Sequence, residues 1–78
     1  MDSEQSRELT YGERSVGKNF NPSQNLQVDE IKTLCARLLD MVQEFPPTDE
    51  LAIELKIEAK AALRAAQMAA VKVVTYGA

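Results

Sequence analysis

Arg7, Arg14 and Lys18 are interleaved with Tyr11 and Phe20, two of the chain's four aromatic residues. Nucleotides call for that pairing, a cation for phosphate and a flat face for the base. A bland arrangement uses the same residues: Phe20 in a core, Tyr11 packing at a helix start, and the bases solvated. The residues alone favour the bland one. Lys56, Lys60 and Arg64 repeat at i,i+4 beside an acidic track of Glu50, Glu54 and Glu58. Like charges at that spacing repel slightly. Acids early and bases late suit the helix dipole, so a solvated face accounts for Lys56 and Lys60. Arg64 either shares that face or meets an anion. Lys32 stands between Ile31, on an apolar stripe, and Thr33. It either snorkels from beside the core or reaches the cleft of an adjacent subunit. Cys35 lies in the stripe and reads as a small buried hydrophobe.

Other chemistry is excluded by what is missing. The 78 residues contain no histidine and one cysteine. His-based triads and ordinary general-base catalysis at neutral pH are therefore absent, as is a usual zinc site. There is no Gly-rich phosphate loop, paired-carboxylate site or metal spacing. Glu13 is better explained by helix capping than by acid–base work. Met1–Leu9 is polar and charged, unlike a signal peptide, and no apolar run reaches the ~20 residues of a membrane helix. A lone cysteine without a signal fits a reducing cytoplasm. The net charge of -3 argues against wholesale DNA or RNA binding.

Three helices must position the candidates. Residues 1–6 read as a frayed end. Thr10-Tyr-Gly-Glu13 is a capping box, predicting a short helix over 11–16 with Gly17 as its left-handed stop. Lys18 to Asn25 reads as a loop, with turn chemistry at Asn21-Pro22-Ser23 and Phe20 pinning it to the body. Val28, Ile31, Cys35, Leu38, Val42 and Phe45 recur at three and four, widened by Leu34, Leu39 and Met41, predicting a helix over 26–45. Pro46 and Pro47 end it. Thr48 or Asp49 caps a last helix over 49–74. Seven of the twelve residues from Ala59 to Ala70 are alanine, the best helix former. Leu51, Leu55, Ala59, Ala62, Ala66, Ala70 and Val73 trace one face of that helix, and Leu63, Ala69 and Val74 a neighbouring one. This surface is wider than one antiparallel partner covers.

The chain is thus expected to be all-α: one domain over 1–78, with a short N-terminal helix before an antiparallel hairpin of two long helices. A chain this short buries only about 60% of its unfolded surface and needs support from disulfides, metal or self-association. The first two are excluded, so a homo-oligomer packed through the Ala-rich helix is expected.

Several runs resemble a known family. Arg7-Glu-Leu-Thr-Tyr-Gly-Glu-Arg14, Val16-Gly17, Phe20-Asn-Pro-Ser23, Val28 through Ile31-Lys32, and Ala66-Gln-Met-Ala-Ala-Val-Lys72 with Thr75 are similar to short tailed-phage proteins, the anti-CBASS sponges. Those sponges share a helical-hairpin domain with some Thoeris anti-defence sponges. The resemblance implies a non-enzyme without cofactor that acts in the host bacterial cytoplasm. It would bind cyclic dinucleotides, cyclic trinucleotides or both and hold them away from their effectors. It also implies a homohexamer with pockets between protomers. The implied ligand-binding residues are Lys32, Arg64, Tyr11, Arg7 and Thr33. Related sequences carry Tyr where this chain has Ser6, and Trp where it has Ala69 and Tyr76. The alternative is a structural or adaptor hairpin that binds a protein partner through its apolar faces and makes no use of Lys32.

Overall fold

The structure is a computed structural model that describes residues 8–19 and 24–76. These form α1 (Tyr11–Ser15), α2 (Leu26–Glu44) and α3 (Glu50–Thr75), with no strand among the described residues. The expectations for residues 1–6, Arg7, Phe20 and the Asn21–Ser23 turn lie outside them.

Each helix begins where a side chain satisfies its free amides. Thr10 Oγ1 accepts from Glu13 N at 3.1 Å, and Thr10 N donates to Glu13 Oε1 at 2.9 Å, completing the expected capping box. Gly17, at φ 65°, supplies the left-handed stop that only glycine adopts without penalty. The helix itself ends at Ser15, one residue earlier than expected. Asn25, read in the sequence as loop, caps α2: its Oδ1 accepts from Gln27 N at 2.8 Å and Val28 N at 3.1 Å. Asp49 Oδ1 caps α3 through Ala52 N at 2.8 Å. Both long helices lie within a residue of their expected bounds. The carbonyls freed at the end of α2 find a partner on α3. Lys56 Nζ donates to Gln43 O at 2.6 Å and Phe45 O at 3.1 Å, closing the hairpin by capping the last turn. Lys56 is therefore a tie between the helices, where a solvated face had been expected.

The face that α2 buries is rotated from the expected stripe. Val28, Lys32, Ala36 and Leu39 are buried, Ile31, Cys35 and Val42 are half-buried, and Leu38 and Phe45 are exposed. Two partners cause the shift. Helix α1 lies against Ala36 and Asp40, and Leu63 of α3 joins Cys35 and Tyr11 around Val16, Ala36 and Leu39. Burial peaks where the two partners meet, and the sequence pattern pointed to the α3 side alone.

The contact between α1 and α2 is backbone against backbone. A Cβ on Gly12 would stand 2.0 Å from the carbonyl oxygen of Ala36, so only glycine fits. Gly12 N donates to Asp40 Oδ1 at 2.7 Å, placing a carboxylate at the start of α1, where free amides favour it. Lys18 Nζ holds the far end through Asp29 Oδ1 at 2.6 Å.

Helix α3 turns its Ala-rich side away from this body. Leu51, Leu55, Ala62, Ala66 and Val73 are exposed, and Gln67 is its one buried residue among those described. The Cα atoms span only 12 Å in the thinnest direction, short of the roughly 13–15 Å that two packed helix layers need. The chain is close to a single layer, and its core is correspondingly thin.

Candidate functional site

Tyr11 opens α1, Arg64 lies midway along α3, and the capped ends and the Gly12 contact bring the two together across 53 positions of sequence. Arg64 Nη1 donates to the Tyr11 phenol oxygen at 3.2 Å. Lys60, one turn earlier on α3, sets its ammonium 5.1 Å from the centre of the Tyr11 ring, within cation–π range. The same ammonium donates to Gln43 Oε1 at 2.8 Å.

The phenol records this environment. Burial raises its pKa, but a hydrogen bond with Ser15, the positive charges of Lys60 and Arg64, and the bond from Arg64 outweigh burial. The net pKa is lower than that of an ordinary tyrosine, because two cations stabilise negative charge on the phenol oxygen. Two cations and an aromatic face thus meet at one half-buried place. Such a cluster suits an anion carried by a flat ring system. No group of residues that could hold a metal ion occurs among the described residues.

The other expected site residues lie elsewhere. Lys32 is only 5% exposed, and its Nζ donates to Gly17 O at 3.0 Å. Its ammonium thus secures the turn that ends α1, within the same chain. Thr33 beside it is exposed. Arg7 lies outside the described residues. Arg14 and Lys18, grouped with Tyr11 by sequence, point away from it: Arg14 Nη1 donates to Leu9 O at 2.8 Å, and Lys18 is paired with Asp29. They line an open recess of 460 Å³ with Leu9, Glu13, Gly17 and Asn19. Cys35 is half-buried, and burial raises its thiol pKa, which keeps the sulfur protonated and unreactive.

Two residues of the region were missed in the sequence reading. Lys60 had been assigned to solvent; the signal that places it is its spacing of four from Arg64, which fixes both on one side of α3. Gln67, one turn beyond Arg64, is only 5% exposed. A glutamine between Arg64 and Val71 carries no pattern from which such burial could be read.

No helix among the described residues is long and apolar enough to cross a membrane. No curated protein and no solved structure matches the chain. A family model does: the one described as Acb2/Tad1, hairpin domain, matches residues 13–75. That span takes in the end of α1, all of α2 and all of α3, so the chain belongs to the Acb2/Tad1 hairpin-domain family, the sponges of anti-CBASS and anti-Thoeris defence.

Proposed function

We propose that this chain binds cyclic di- or trinucleotide immune messengers in the host bacterial cytoplasm and sequesters them without cleaving them. The match to the sponge family over residues 13–75 carries this reading. The convergence of Arg64 and Lys60 on Tyr11 supports it, since these groups offer charge for a phosphodiester and a ring face for a base. Tyr11 and Arg64 form the centre of the proposed site; Arg7, Lys32 and Thr33 enter the proposal by family resemblance, Lys32 and Thr33 lying away from that centre within one chain. Lys32 would also act by holding the Gly17 turn, so Lys32→Ala perturbs the fold as well as the ligand. Arg64 is the cleaner probe.

Titration calorimetry against a panel of cyclic dinucleotides and trinucleotides tests the reading. At least one member is expected to bind below about 10 µM, or roughly 7 kcal/mol. Ligand released by heating should be recovered intact. A panel without a binder at that level, or linearised product, removes the sponge function.

The same reading gives a homo-oligomer, a hexamer by family resemblance. Its physical support is the near-single-layer protomer with Leu51, Leu55, Ile57 and Met68 exposed along α3, a larger run of apolar surface than monomers ordinarily leave wet. Light scattering at micromolar concentration should return about six times the 8.6 kDa chain mass. A monomer would remove the assembly and any pocket that depends on it. The adaptor reading uses these faces too, and an apolar recess of 390 Å³ among Leu38, Met41, Val42, Phe45 and Leu55 favours it. An adaptor would bind no cyclic nucleotide, and Arg64→Ala would leave it unchanged.

A further inference from the structure

The chain's basic side chains differ in what holds them. Lys18 is paired with a carboxylate, Lys56 with two backbone carbonyls and Arg14 with one. Lys60 and Arg64 are held by neutral groups of other kinds. Lys60 has an amide oxygen and a ring face, Arg64 has a phenol oxygen, and neither has a carboxylate partner among the described residues. They lie one helical turn apart, so their mutual repulsion is not offset locally. An anion between them would remove that repulsion and gain two charge-assisted hydrogen bonds. Exchanging a neutral amide partner for a charged oxygen favours Lys60 in particular.

We propose that Lys60 is a second anion contact of the Tyr11–Arg64 site, shared with Arg64 and directed at a single phosphate group. Tyr11 holds the place of the ligand until it arrives, and Gln43 Oε1 is the neutral partner that the Lys60 ammonium gives up for the phosphate. The proposal takes its ligand class from the sponge reading, but the anion site stands on its own geometry.

The probe is inorganic pyrophosphate, followed by NMR through the Tyr11 ring and the amides of residues 58–66. Saturable shifts are expected in the wild type. Lys60→Gln should weaken them at least fivefold, Lys60→Arg should keep them, and the salt dependence should fall by about one ion in Lys60→Gln. Gln43→Ala releases the ammonium without removing its charge, and should bind at least as well as the wild type. Lys60→Gln should also raise the pKa of Tyr11, read by ultraviolet titration against Tyr11→Phe. Absent shifts in the wild type, equal binding in Lys60→Gln, or a loss in Gln43→Ala as large as in Lys60→Gln overturns the proposal. Pyrophosphate binding with no binder in the cyclic panel would refute the sponge reading and leave the anion site standing.

Discussion

Gly12→Ala is expected to detach α1 from α2 and to destabilise the protein by about 3 kcal/mol, at the upper end of ordinary overpacking. The added methyl would lie 2.0 Å from the Ala36 oxygen, 2.7 Å from its carbonyl carbon and 2.9 Å from its Cα. All three are backbone atoms of a helix, so no rotamer change relieves the overlap. The helices must separate, and separation breaks the bond from Gly12 N to Asp40 and draws Val16 out of the core. A domain of this size loses roughly 4–8 °C in melting temperature per kcal/mol, so the midpoint should fall by more than about 10 °C. The backbone origin of the clash gives a second expectation: Ala36→Gly in the same chain should not restore stability, because the atoms in the way remain. Gly17→Ala, which strains a positive φ without a clash, should cost only about 1 kcal/mol. A Gly12→Ala midpoint within a few degrees of the wild type, or rescue by Ala36→Gly, would show that α1 does not pack as described.

The contrast between these glycines shows where sequence reasoning stopped. Gly17 was legible because a left-handed residue after a capping box is local chemistry. Gly12 was read only as a filler of that box, because its role depends on a residue twenty-four positions away. The helices share this division. Thr10, Glu13, Pro46, Pro47 and Asp49 announce ends, and the ends fall within a residue of expectation. The buried side of α2 was misjudged, since a periodic stripe locates one partner and α2 has two. Lys32 could be read as exposed or reaching because no pattern reveals a carbonyl at Gly17 waiting for it. Tyr11 and Arg64 were each suspected on separate grounds, and only the packing of α1 and α3 on α2 joins them.

That junction sets the expectation for Arg64→Ala, a loss of binding of about thirtyfold or more for the tightest cyclic nucleotide in the panel. The figure follows from removing one partner of a desolvated charged hydrogen bond, which costs about 2–5 kcal/mol, with each 1.4 kcal/mol a factor of ten. Lys60 alone cannot replace it, because a compact ammonium lacks the planar fork with which guanidinium grips a phosphate. The fold should survive, since Arg64 is only half-buried and its one described hydrogen bond is the 3.2 Å contact to the phenol. Tyr11→Phe separates ring from hydroxyl. It keeps the aromatic face and both cations, removes only the phenol oxygen that accepts from Arg64, and should weaken binding less than tenfold. An ordering of Arg64→Ala well below Tyr11→Phe, with both variants melting near the wild type, is what a charge-centred site requires. If Arg64→Ala binds within threefold of the wild type, the phosphate is held elsewhere. The Tyr11–Arg64 bond would then be one more tie that keeps α1 on the hairpin.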